Sequence, residues 1–165
     1  MKVFSIAGYS GSGKTTLIEN LIPRFVMDGL KVSLIKHAHA GFDIDRPGKD
    51  SYRHREAGAS EVLLVSEKRW VLMHELRGET EPALDAQLAM LSPCDLVLIE
   101  GFKWAPVPKI EVYRASVGKP PLFRDNQDIV AVASDDRVDT GLPVLNINDP
   151  DGIADFILRY LGLRR

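Results

Sequence analysis

Gly8-Tyr9-Ser10-Gly11-Ser12-Gly13-Lys14-Thr15 decides the reading of this chain. A loop of the form Gly-x-x-x-x-Gly-Lys-Thr turns its backbone N–H groups inward around phosphates, and side chains at the glycine positions would block that approach. Gly8, Gly11 and Gly13 meet the requirement, and Ser12 completes the loop. Lys14 is expected to reach the β- and γ-phosphates of a nucleoside triphosphate as a point charge. The Thr15 hydroxyl is expected to ligate magnesium, while Thr16 begins to satisfy the helix terminus.

The flanking sequence supplies the setting that such a loop needs. Residues 2–7 alternate β-formers with small residues and read as a buried strand. Residues 15–28 carry Leu17, Ile18, Leu21, Ile22, Phe25 and Val26 at helical spacing, with Gly29 placed to end the helix. Pro23 interrupts that pattern and predicts a kink or break.

Further strands are expected at 31–36, 61–66, 69–74, 95–100, 109–113, 129–133 and 144–147, and helices at 50–56, 82–91 and from Pro150, the last capped by Asp149. The 61–66 and 69–74 runs are joined only by Glu67-Lys68, which predicts an antiparallel hairpin. Alternating strands and helices predict an α/β fold: a three-layer P-loop NTPase with a mostly parallel central sheet, built as one nucleotide-binding domain over 1–165.

Composition narrows the function classes. The 165 residues are 45% hydrophobic and 27% charged, with no apolar run long enough to cross a bilayer. Net charge is -2 and the isoelectric point about 6.1, without the positive field of a dedicated nucleic-acid binder. The glycine-rich loop leaves no room for a signal peptide, so a cytoplasmic protein is expected. Cys94, the single cysteine, forms no intrachain disulfide and is read as a packing residue.

Other positions add candidate chemistry. Leu96-Val-Leu-Ile-Glu100-Gly101 is a buried strand ending in an acid, and Glu100 is expected to face the magnesium shell. Asp95, at the strand's entry, reads as an edge or cap residue. Asp135, in Ala133-Ser-Asp-Asp136, stands where a carboxylate accepts from guanine N1–H and its amine, although a turn aspartate fits equally well. The polar segment 37–49 offers Asp43, Asp45, Lys49 and, just beyond, Asp50 toward phosphate or magnesium. Mutual repulsion among its aspartates is expected to hold it open. His37 and His39 lack the further spaced ligands of a zinc site. No arginine follows the loop closely in sequence; Arg46, Arg53 and Arg55 come with the polar segment.

Taken together, Gly8 to Thr16, Lys36-His37, Phe42-Asp43-Ile-Asp45-Arg-Pro47-Gly-Lys49-Asp50-Ser51, Ala57-Gly58-Ala59 and Leu98-Ile-Glu100-Gly101-Phe102-Lys103 resemble the molybdopterin-guanine dinucleotide biosynthesis protein B family of small P-loop GTP-binding proteins (MobB-like). The resemblance spans most of the chain. It implies GTP with Mg2+ bound by Gly8, Gly11, Ser12, Gly13, Lys14, Thr15 and Thr16, weak GTPase activity using Lys14 and Glu100, and a homodimer. It also implies support for the molybdenum cofactor guanylyltransferase (MobA-like), with molybdopterin as a candidate ligand and neither nucleic acid nor membrane as partner. Tyr9 departs from the wider group, many of whose dimerising members carry a lysine there that reaches the partner's nucleotide. Two other classes compete on the residues alone: a small-molecule kinase with its acceptor held by 37–51, and a binding module that does not turn over.

Overall fold

The computed structural model describes residues 1–38 and 41–163. The chain forms two compact units, one made of Met1–His37 with Gln87–Arg165 and the other of Ala38–Ala86.

The larger unit is built on six parallel strands: β1 (Lys2–Ala7), β2 (Val32–Lys36), β5 (Leu96–Glu100), β6 (Lys109–Val112), β7 (Ile129–Ser134) and β8 (Val144–Asn146). Their spatial order is β2-β5-β1-β6-β7-β8, and every pairing is parallel. From β1 the chain runs to one side through β2 and later to the other through β6, β7 and β8. The carboxyl end of β1 is therefore a switch point, where open α/β sheets form their ligand crevice. The glycine-rich loop leaves β1 there.

Two faces of β1 and β5 explain the apolar run. Phe4 and Ile6, with Leu96 and Leu98, pack against Leu17, Ile18, Leu21 and Phe25 of α1 (Lys14–Met27) and Ile153 and Ile157 of α4 (Pro150–Tyr160). On a second cluster Ala7 meets Leu122 and Ile129. All five residues of β5 are buried, as continuous apolarity in a parallel strand requires.

α1 runs unbroken through Pro23. The proline is exposed, and so is Glu19, whose carbonyl would have accepted the missing N–H; water can satisfy that carbonyl, so the helix keeps its course. α4 starts as the sequence predicts, with the Asp149 carboxylate accepting from Gly152 N–H at 3.0 Å and Pro150 in the first turn. Asp95 accepts from Lys31 N–H at 2.7 Å, tying the entry of β5 to the segment before β2.

In the smaller unit, α2 (Asp50–Glu56) follows Lys49, and Asp50 is its first helical residue. β3 (Glu61–Val65) and β4 (Trp70–His74) form the predicted antiparallel hairpin, as a two-stranded sheet of its own. Arg55 is the hub here. Its guanidinium donates to Asp43 at 2.8 Å and Glu75 at 2.7 Å and stands 3.4 Å from Asp45. The hydrogen bond from Arg55 holds the Asp43 carboxyl below its ordinary pKa. The repulsion expected among these aspartates is thus opposed by an arginine six residues beyond the segment, which holds Asp43 and Asp45. α3 (Leu84–Ala89) carries the chain back to the larger unit.

Candidate functional site

The glycine-rich loop owes its shape to its glycines. Gly8 has φ of 146°, and a Cβ there would lie 2.6 Å from the Val112 carbonyl oxygen and 2.8 Å from Ser12 Oγ. Gly13, at φ 100°, caps α1 with no side-chain bond. The first N–H groups of α1 therefore open toward the loop without intrahelical acceptors, in the geometry that attracts anions.

Inside the loop, the Ser12 hydroxyl is buried and has no hydrogen-bond partner. Lys14 Nζ folds back to donate to the Tyr9 carbonyl at 2.8 Å. Burial lowers the Lys14 pKa from its ordinary value; nearby Glu100 opposes the shift, and Lys103 and Lys36 add to it. Thr15 Oγ1 donates to Glu100 Oε1 at 2.6 Å, and Lys36 Nζ lies 3.2 Å from Glu100 Oε2. Lys103 Nζ sits 4.1 Å from the centre of the Tyr9 ring, a cation–π contact. Loop, β5 and β2 thus converge on a single carboxylate surrounded by lysines.

The turn after Glu100 is held as firmly. Gly101, at φ 104°, bonds by its N–H to the Ile6 carbonyl, and its own carbonyl accepts from Ser5 Oγ at 3.1 Å. Phe102 also has positive φ, 48°, and its ring lies 4.4 Å from that of His37.

These residues fit a polyphosphate with a divalent cation. A buried hydroxyl without a partner, a helix N-terminus capped by glycine and a clustered positive charge suit phosphate oxygens. Thr15 and Glu100 suit a hard cation that takes few protein oxygens and completes its shell from phosphate and water. Among the described residues no three His, Cys, Asp or Glu side chains gather as a metal cluster. His39 lies outside the described residues.

Beside the first turn of α1 opens a cleft of about 430 Å³. Leu17, Ile147 and Pro150 give it apolar walls, and Thr16, Asn20, Arg114 and Asn148 give it polar ones. Asp135 is exposed at the end of β7, 3.4 Å from Arg114. Its neighbour Asp136 is occupied, accepting from Ala115 N–H at 2.7 Å.

Gly8, Gly11, Ser12, Gly13, Lys14, Thr15 and Thr16 are thus continuous at the switch point, with Glu100 against Thr15; Asp135 is apart from them, on the cleft side. Asp43, Asp45, Lys49 and Asp50 belong to the smaller unit. Arg114 is the residue that sequence reading missed. Far from the loop along the chain, it stands with Cζ 4.0 Å from where a Gly13 Cβ would be. The available signal was its place just beyond β6, a strand ending on the same edge as β1.

Comparison with known proteins agrees with this architecture. The family model described as MobB, molybdopterin guanine dinucleotide synthesis protein B, matches residues 3–135. A molybdopterin-guanine dinucleotide biosynthesis adapter protein of Escherichia coli K12 is 40% identical over 162 residues, covering 96% of this chain and 93% of its own. The adapter protein of that name from Haemophilus influenzae is 42% identical over 159 residues, covering 96% and 89%. Among solved structures, a molybdopterin-guanine biosynthesis protein B superposes with a TM-score of 0.76 at 33% identity, covering 96% of this chain and 99% of the other. Bacillus subtilis MobB gives 0.76 at 25% identity, covering 98% of each. With more than half its length matched by the family model and nearly all of it aligned to relatives at 40% identity, the chain belongs to the molybdopterin guanine dinucleotide synthesis protein B family.

Proposed function

We propose that this protein is a cytoplasmic GTP-binding adapter in molybdenum cofactor guanylation, with slow GTP hydrolysis of its own. The observation that carries the nucleotide part is the junction of Thr15 Oγ1 and Glu100 Oε1 at 2.6 Å beneath the glycine-rich loop. It sets a hydroxyl and a carboxylate side by side where a triphosphate's cation would be shared. Magnesium, when bound, neutralises charge on the phosphate oxygens.

Lys14 would exchange the Tyr9 carbonyl for phosphate oxygens, and the Ser12 hydroxyl would gain the partner it lacks. Asp135 is the carboxylate proposed for guanine, a choice supported by the engagement of Asp136 with Ala115 N–H. Slow turnover is proposed because the cations beside Lys14 and Glu100 are the lysines Lys36 and Lys103, whereas Arg114 lies at the Gly13 end of the loop. Lysines are compact point charges without the planar fork by which an arginine stabilises a transferring phosphoryl group.

The adapter role rests on the near full-length likeness to relatives of that name, and the pathway's guanylyltransferase is the partner proposed. A homodimer is proposed through the hairpin, where Leu63, Val65, Trp70 and Leu72 share an exposed apolar face.

One experiment tests the reading: affinity for GTP and for ATP with magnesium, and phosphate release at saturating GTP, with and without the guanylyltransferase. Preference for GTP, release well below about 1 s⁻¹ and a higher yield of guanylated cofactor with the enzyme are expected. Release at or above that rate without a partner contradicts the adapter reading, and acceptor-dependent loss of the γ-phosphate replaces it with a kinase. Light scattering that gives a monomer mass at micromolar concentration removes the dimer.

A further inference from the structure

Arg114 is half-buried and pairs with Asp135. It follows β6 and turns toward the start of α1, where Cζ and a terminal nitrogen lie 4.0 Å from the site of a Gly13 Cβ. A guanidinium is thereby set beside the partial positive charge of a helix N-terminus, an unfavourable pairing until an anion comes between them.

Its hydrogen bonding is incomplete. Nε is buried and has no partner. The link to Asp135, at 3.4 Å, is longer than the roughly 2.7–2.9 Å of a good charge-assisted bond. Arg114 therefore keeps donor capacity for a ligand, together with a loose tether to the carboxylate proposed for the base.

The cleft that Arg114 lines has the size and character of a nucleoside pocket. Its volume of about 430 Å³ lies within the range for small-ligand sites. Leu17, Ile147 and Pro150 offer apolar contact for a ring, and the Asn20 side-chain carbonyl oxygen and Asn148 offer hydrogen bonds for a sugar. The lysines gather elsewhere, about Glu100 and Tyr9. The lysines thus gather at one end of the glycine-rich loop, and Arg114 stands at the end next to the cleft.

We propose that Arg114 binds the phosphate attached to the nucleoside, and that its ion pair with Asp135 couples this contact to recognition of the base. The proposal rests on the nucleotide reading given above. When the base engages Asp135, Arg114 loses that partner and turns to the phosphate, so the two contacts reinforce each other.

The test is the affinity of wild type, Arg114→Ala and Arg114→Lys for GTP and for GDP with magnesium, by calorimetry, alongside thermal unfolding without nucleotide. Arg114→Ala should weaken both nucleotides by one common factor, between about tenfold and a hundredfold, because both carry the phosphate concerned. Arg114→Lys should restore part of the loss, keeping the charge without the fork. In Arg114→Ala/Asp135→Asn the losses should fall short of the product of the single ones.

Unchanged affinity for both nucleotides overturns the proposal. So does a larger loss for GTP than for GDP, which moves the arginine to the terminal phosphate. Should Arg114→Ala fail to fold, Arg114→Lys carries the test with the same common-factor criterion. A wild-type protein that binds neither nucleotide removes the underlying reading, a result distinct from affinity that ignores the arginine.

Discussion

The Thr15 hydroxyl donates to the Glu100 carboxylate at 2.6 Å, although 85 positions separate them in the chain. The parallel register that sets Ile6 opposite Glu100 makes the meeting possible, because β1 ends just one residue beyond that pair. Glu100→Gln keeps an acceptor for Thr15 while removing the charge that faces Lys36. Phosphate release should fall by about tenfold to a hundredfold with a smaller loss of GTP affinity, measured by single turnover and calorimetry. Equal loss of both, or of neither, counts against Glu100 as a cation ligand.

Lys14→Ala should leave the far-ultraviolet circular dichroism unchanged and weaken triphosphate binding by about 2 to 3 kcal/mol, the worth of a charged hydrogen bond, or a factor of about 30 to 150. A folded variant with wild-type affinity would end the assignment of the loop to phosphate.

Gly8→Ala and Gly11→Ala separate crowding from backbone strain. Both positions have positive φ, but a Gly8 Cβ meets backbone at 2.6 Å, whereas a Gly11 Cβ meets nothing within 4 Å. Gly11→Ala should lose about 1 to 3 kcal/mol from backbone strain alone. Gly8→Ala should lose more, and nucleotide affinity with it. Equal unfolding midpoints for the two variants would contradict this account.

Glu111, fully buried in β6, accepts from Leu122 N–H at 2.8 Å and Phe123 N–H at 2.9 Å. Burial raises its pKa above 4.5, and the two N–H bonds pull it part of the way back. A folded pKa above the unfolded one means that the contribution to stability is full below 4.5 and is lost as pH rises through the folded value. The unfolding free energy of wild type minus that of Glu111→Gln should therefore increase as pH falls from about 7 toward the unfolded glutamate value. Chemical denaturation across that range reads it directly; a flat or shrinking difference refutes the sign.

Arg55→Lys keeps a charge but cannot span Asp43, Asp45 and Glu75 at once. Amide exchange in 43–46 and in α2 should quicken several-fold, while β1 and β5 keep their protection. Exchange that quickens in the central strands as well would mean that Arg55 supports more than its own unit.

Much of this architecture is legible in the sequence because its signals are local. The loop, the alternation of strands and helices, the hairpin and the Asp149-Pro150 start of α4 each follow from neighbouring residues. Pro23 misleads because a proline's effect depends on which carbonyl loses its partner, and here that residue is exposed. The clamping of Asp43 and Asp45 was hidden since repulsion can be read from spacing, but neutralisation by Arg55 needs the turn that brings α2 back to them. Arg114 was hidden because its nearness to Gly13 is a property of strand order, which places β6 next to β1 after a long excursion of the chain.

That excursion has a consequence of its own. β2 and β5 are hydrogen-bonded neighbours, so everything between them is one crossover connection, and residues 38–86 are a folded insertion within it. The entropy of closing a connection grows only with the logarithm of its length, by about 0.6 kcal/mol for each doubling. The closure cost of the crossover therefore changes little with its length. The glycine-rich loop is made before the insertion begins and Glu100 after it ends. The register that joins Thr15 to Glu100 is thus written wholly in segments on either side of residues 38–86, and a change in the insertion's length alone adds little to the cost of closing the crossover.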